Sequence, residues 1–206
     1  MVEGPSLVTE STATARDAER VALKEWAVLV DAMARGDVIA MIRKGGIRER
    51  RAGFDVRHDR FLLYPTYFHE KLNELAERFH PTLEAAHAVR PPEGMIQLRH
   101  VATVAAVWQV TELDRLPAIE AEHGLTWGAV ESRFRYRDDP RVHVVAVRVA
   151  RLPAVVTLPE TRRYTGCVSW VKLDDDVKVD AAAPVIDEQP FATRLRALEH
   201  VLGAPA

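Results

Sequence analysis

The sequence predicts an α+β protein: a small mixed, mostly antiparallel β-barrel with peripheral helices. Two observations carry that class. The periodic segments run helix, strand, strand, helix, long strand, helix, strand, strand, strand, helix. Too few strands are separated by full-length helices for a doubly wound parallel sheet, and an antiparallel barrel with outlying helices fits the order better. The β-like run from Ile96 to Glu112 is also unusually long, which suggests a bent barrel strand or a strand with a bulge.

Taken in order, residues 1–20 are polar and read as a flexible lead-in. They lack a basic region followed by an apolar run, so they do not resemble a secretory signal. Residues 21–206 then fit a single domain. Trp26, Leu29, Val30 and Met33 recur at helical spacing within Ala22–Ala34, and Gly36 stands where a C-cap glycine belongs. Val28, Leu29 and Val30 are also compatible with a strand, but the Ala, Leu, Met, Lys and Glu content favours helix. Val38–Arg43 reads as a buried strand, punctuated by Gly45-Gly46. Residues 47–60 form a charged loop with a short strand around Phe54–Val56. Phe61–Tyr64 is an apolar strand stopped by Pro65. Thr66 then caps a helix with Phe68, Leu72, Leu75 and Phe79 on one face, ended by His80-Pro81.

Thr82–Gly94 is a connection. In the long strand, Ile96, Leu98, His100, Ala102, Val104, Ala106, Trp108 and Val110 share one face. Leu113–Gly124 is irregular, Thr126 caps a short helix to Phe134, and residues 135–140 turn. Val142–Leu152 and Val155–Leu158 are strands separated by Pro153. Gly166–Leu173 is a further strand. An acidic loop leads to a closing helix, Pro190–Leu202, with Phe191, Leu195, Leu198 and Leu202 on its apolar side.

Of 206 residues, 48% are apolar, enough for a core. No stretch approaches the ~20 apolar residues of a membrane span. The single cysteine, Cys167, excludes an internal disulfide and a multi-cysteine zinc site. These features point by default to the cytoplasm of a bacterium-like cell. The formal net charge of -2 excludes a general basic coat for long duplexes. The charge is uneven, however. Arg43, Lys44, Arg48, Arg50, Arg51, Arg57 and Arg60 face only Glu49, Asp55 and Asp59, a patch suited to a short or single-stranded polyanion, or else a solvated loop. Between Asp174 and Glu188 the sign reverses.

No motif names a reaction. RKGGI at 43–47 lacks the phosphate-loop frame, and no GxGxxG is present. Gly45-Gly46 is either a tight turn or a place where backbone N–H groups approach an anion beside Arg43 and Lys44. The eight histidines lack metal-ligand spacing, so neither a metal nor a cofactor is expected. His69 is either a structural histidine or a ligand and acid–base group. Cys167, within GCVSWV, reads as a small buried hydrophobe. Tyr64, Tyr67, Trp108, Tyr136, Tyr164 and Trp170 are core or rim residues, or platforms on which bases stack.

The blocks KEWAVLVDAMARGDVIAMIRKGGI, FLLYPTYFHE, LRHVATVAAVWQVTEL and RLPAVVTLPETRRYTGCVSWVKL together resemble an uncharacterised bacterial family, domain of unknown function eighteen-oh-two. Some of its members look fused to or grouped with restriction-type nuclease domains, which implies a nucleic-acid context. The layout also resembles the PUA-like barrels, especially their ASCH branch. The matching pieces are Gly36 ending a helix, Arg43 ending a strand, Leu152-Pro153 and Leu158-Pro159, and the strand Gly166 to Trp170. That resemblance implies binding of RNA or modified bases, and in a few members small amidohydrolase activity. The hydrolytic members carry a Gly-Lys-Lys-Thr-like run where this chain has Gly36-Asp37-Val38-Ile39. Only Arg43 carries over, so the catalytic implication fails.

The expectation is therefore a module that binds short or single-stranded nucleic acid or a modified nucleotide. Its ligand-binding residues would be Arg43, Lys44, Gly45, Gly46, Tyr64, Thr66, Tyr67, His69, Tyr164 and Trp170. One alternative is a small hydrolase acting on a nucleoside or amide, with His69 as base. The other is a module whose basic patch docks a protein partner.

Overall fold

Successive side chains on a strand face opposite sides of its sheet, and here both sides are apolar. The structure, a computed structural model, describes residues 20–44, 58–68, 70–166 and 168–206. Its strands are β1 (Val21–Trp26), β2 (Ala40–Arg43), β3 (Arg60–Thr66), β4 (Met95–Val110), β5 (Val142–Pro159), β6 (Trp170–Lys172) and β7 (Ala183–Pro184). They form one sheet in the order β2-β5-β4-β3-β1-β6, with β7 paired to β5. Among the described residues only β1 and β3 run parallel; the other pairings are antiparallel. The sheet curls into a half-barrel with helices around it, so the mixed, mostly antiparallel α+β class holds.

On β3, Phe61 and Leu63 enter one apolar cluster, while Leu62 and Tyr64 enter the other. The first cluster packs under the helices α1 (Ala27–Arg35), α3 (Trp127–Arg135) and α4 (Glu188–Leu202). The second lies across the sheet, closed by Tyr164, Val171, Leu173, Val177 and Val179. Each fully buried aliphatic or aromatic side chain contributes roughly 1.5–3 kcal/mol. Leu23, Phe61, Leu62, Leu63 and Leu98 are all fully buried.

The long strand β4 is irregular as expected, with register shifts between Leu98 and His100 and between Val104 and Ala106. The first shift reverses the side-chain parity. Ile96 and Leu98 join the second cluster with Val101, whereas Ala102, Ala106, Trp108 and Val110 join the first. The single shared face expected for these residues is therefore split by the bulge.

Other expectations are corrected. The helix expected over Ala22–Ala34 begins only at Ala27, because Val21–Trp26 is needed as a strand between β3 and β6. Pro65 does not stop β3. There the strand pairs with β1 alone, since β4 covers only Arg60–Leu62, and an edge position tolerates proline. Thr66 caps no helix; its hydroxyl donates to the Glu25 carbonyl at 3.1 Å. Two 3-10 turns, Leu72–Glu74 and Glu77–Phe79, replace the expected helix.

Helix α2 (His80–Ala88) starts at His80-Pro81, where the helix expected after Thr66 was to end, and it takes up the first part of Thr82–Gly94, the stretch expected to be a connection. Proline lacks only an N–H that a first turn leaves unused anyway. Pro153 likewise does not divide β5. Residues 152–155 bulge opposite Arg99, between the pairs His100–Arg151 and Leu98–Val156. The expected strand Gly166–Leu173 shortens to Trp170–Lys172.

Gly36 adopts φ +78 at the C-cap of α1, and a Cβ there would meet Ile186 Cγ1 at 2.8 Å. Thr126 accepts from Ala129 N at the start of α3, as its sequence position suggests.

Candidate functional site

The curl of the sheet leaves a groove of about 1260 Å³ lined by the ends of β1, β2 and β3, by α1 and α3, by residues 90–97, by His123 and Leu125, and by Thr165, Gly166, Val168 and Ser169. Across it the ends of β2 and β1, separated by three strands in the sheet order, come together. Arg43, last residue of β2, bonds Glu25 Oε2 at 3.1 Å and the Lys24 carbonyl at 3.2 Å. Both side chains of this ion pair are mostly buried, at 15% and 11% exposure. Lys24 donates to the carbonyls of Tyr164 and Gly166 and stands 5.4 Å from the Tyr64 ring centre.

Tyr64 is buried and donates its phenol proton to Glu160 Oε1 at 2.7 Å. Burial, then the Glu160 carboxylate, push its pKa far upward, so it remains a donor. Tyr67 stands on the groove wall, its pKa also raised by burial, and meets the His87 ring edge-on at 5.7 Å. Arg90 lies 5.4 Å from the Tyr67 ring centre and 4.9 Å from that of Phe68. Phe68 is 63% exposed. The result is a cation-and-aromatic surface at the groove's edge.

Arg43, Lys44, Tyr64, Thr66 and Tyr67 thus line one groove. Lys44 contributes differently than anticipated. Its ammonium is spent on the carbonyls of Phe134, Asp139 and Arg141, and burial lowers its pKa. It closes the C-terminal end of α3 instead of offering charge to a ligand.

Tyr164 and Trp170 are corrections. Tyr164 is 1% exposed and its hydroxyl accepts from Asp174 N at 2.7 Å, so no base can stack on it. Trp170 packs edge-on against Phe61 and His58, with ring centres at 5.0 and 5.2 Å, and does not line the groove. Gly45, Gly46 and His69, like Cys167 and most of the basic loop, lie outside the described residues.

Sequence reasoning missed Lys24, Glu25, Arg90, His123 and Arg133, all of which line the groove. Glu25 and Lys24 were hidden by the helix expected there. Arg133 stands 5.3 Å from the Trp26 ring centre and 3.6 Å from Glu74 Oε2. Burial lowers its pKa while Glu25 and Glu74 oppose that shift. Nothing in the local sequence marks a helix arginine as inward-facing.

Among the described residues no group of three or more His, Cys, Asp or Glu could hold a metal ion, and no helix is long and apolar enough to cross a membrane.

The fold and groove define a half-barrel α+β domain with a wide, mixed-charge cleft rimmed by aromatic residues. The chain belongs to the family described as domain of unknown function DUF1802, whose model matches residues 22–197. No curated protein matches it significantly. Among solved structures it is similar to ASCH from Zymomonas mobilis, at 12% identity over 88% of this chain and 96% of that one, with a TM-score of 0.42. A serine-to-alanine mutant of the same protein matches at 12% identity, over 89% and 98%, with a TM-score of 0.44.

Proposed function

We propose that the groove binds a short or single-stranded nucleic acid or a modified nucleotide. The observation that carries this reading is the meeting, in one cleft, of cations from separate elements with an exposed aromatic surface. Lys24, Arg43 and Arg90 come from β1, β2 and the segment before β4, and Tyr67 and Phe68 stand beside Arg90. Cations that track phosphates and aromatic faces that take bases are what sequence-tolerant single-strand binding requires. The volume, about 1260 Å³, exceeds the roughly 300–1,000 Å³ of small-molecule pockets and suits an extended ligand.

Arg43 is held by Glu25 in this reading, so it supplies a positioned fork of donors more than a loose charge. The reading implies a cytoplasmic protein, and the family's implied link to restriction-type systems belongs with it. The test is fluorescence anisotropy with labelled short single-stranded and duplex RNA and DNA, plain and base-modified. Binding that weakens with salt and falls in Arg90→Ala and Phe68→Ala supports the reading. Absence of binding at low salt overturns it.

A further inference from the structure

Two residues that line the groove carry buried donor atoms that meet no acceptor among the described residues. His123 is only 2% exposed, and its Nδ1 accepts from Leu125 N at 3.1 Å. Its proton therefore sits on Nε2, and Nε2 meets no acceptor among the described residues. Arg133 Nη1 is in the same condition. A buried donor without a partner costs roughly 1–3 kcal/mol, so such groups mark places where something else supplies the acceptor.

The two residues are brought together by the same stretch of chain. The bridge Leu75–Leu125, with Ala76 N to Gly124 O and Thr126 N to Glu74 O, each at 3.0 Å, pins the His123 segment to residues 74–76. Arg133 reaches Glu74 of that same segment. Gly124 has φ +74, and a Cβ there would meet Leu29 at 2.8 Å and Phe79 at 3.0 Å, so the turn at Gly124 packs closely against α1. Leu29, Met33 and Leu125 line the groove beside them.

We infer that His123 and Arg133 form a subsite that receives a carbonyl oxygen on the edge of a nucleobase; this rests on the proposed nucleic-acid reading. Two features favour a base edge over a phosphate. Leu29, Met33 and Leu125 make part of the wall apolar, and taking a phosphodiester anion out of water there costs more than taking a planar base. The Arg133 charge is opposed by Glu25 and Glu74, each of which outweighs the nearby Arg43, so a phosphodiester anion gains little there. His123 stays neutral at physiological pH because burial, with Arg78 and Arg133 nearby, brings its pKa down to about 4. A neutral N–H is a donor suited to a neutral carbonyl. Uracil and guanine present exocyclic carbonyl oxygens that project from the ring, whereas the acceptors of adenine are nitrogens within the ring, set back from that position.

The experiment compares labelled oligo-U and oligo-A of equal length with the full chain, its His123→Phe variant and its Arg133→Met variant. The wild type is expected to favour oligo-U by about tenfold, the size of one well-made hydrogen bond. Each variant is expected to bring that preference within about twofold and to leave oligo-A binding little changed. A wild type that binds both equally, or variants that keep the preference, overturn the subsite and leave the nucleic-acid reading standing. A chain that binds neither overturns both. Because Arg133 also contacts Trp26 and Glu74, its variant can unfold. A second measurement on the wild type therefore follows the His123 Nε2 proton and nitrogen resonances. Oligo-U is expected to shift them and oligo-A to leave them in place, and unmoved resonances under saturating oligo-U overturn the subsite.

Discussion

Two buried histidines make the stability of this fold pH-dependent, in a direction that the structure fixes. His100 and His123 are 8% and 2% exposed, and each has its pKa lowered to about 4. Burial is the main cause for both. Arg151 and Arg99 add to it at His100, and Arg78 and Arg133 add to it at His123. In the unfolded chain each histidine titrates near 6.5. Below that value the unfolded state binds protons that the folded state refuses. Stability is therefore fully present above about pH 6.5 and is lost as the pH falls through about 4.

At pH 5 the difference between the two states amounts to about 2 kcal/mol for each histidine. Urea unfolding at pH 7.5 and pH 5 should show a loss of about 4 kcal/mol from the pair. His123→Phe and His100→Phe should each reduce that loss by about 2 kcal/mol, leaving the carboxylate contribution in place. Equal pH dependence in the wild type and both variants would refute the reasoning.

Other substitutions test the scaffold around the groove. Lys44→Met removes the donor shared by the carbonyls of Phe134, Asp139 and Arg141, and should cost roughly 1.5–3 kcal/mol, seen as a lower midpoint in thermal melting. Gly36→Ala forces a side chain into φ +78 with its Cβ 2.8 Å from Ile186. It should cost at least ~1–2 kcal/mol by urea unfolding. Glu70→Gln weakens the carboxylate that accepts from Val28 N in the first turn of α1 and pairs with His87. It should cost about 1 kcal/mol by the same assay; no change would mean that α1 does not depend on this cap.

The sheet was legible in the sequence wherever an apolar run carried its own signal. The strands near 40–43, 60–66, 95–110 and 142–159 are all anticipated, as is the irregularity of β4. Misreadings fell where local propensity and tertiary pairing disagree. KEW reads as helix beside AVLVDAMAR, yet Lys24, Glu25 and Trp26 align with Tyr64, Pro65 and Thr66 across a parallel pairing that no local pattern announces. Pro65 and Pro153 read as breaks because the sequence does not show that one lies where a single neighbour remains and the other in a bulge.

The groove was legible in part for the same reason. Arg43, Tyr64, Thr66 and Tyr67 stand at the ends of strands the sequence reveals. Arg133 and His123 reach it from a helix and a turn whose orientation depends on the pinning of residues 74–76. Tyr164 and Trp170 look the same in sequence whether they face a ligand or the core, and here they serve the core.

The most direct test of the account is a salt series of anisotropy titrations with short single-stranded RNA and DNA, comparing the wild type with Phe68→Ala and Arg90→Ala. Phe68 is exposed, and Arg90 meets it at the groove's edge, so the folded stability of both variants should stay within about 0.5 kcal/mol of wild type. Loss of stacking worth ~1–3 kcal/mol per base should weaken binding by roughly fivefold or more. The account predicts wild-type binding that declines steadily with salt and is reduced in both variants. Binding that ignores salt and both substitutions, or no binding by the folded protein at low salt, would contradict it.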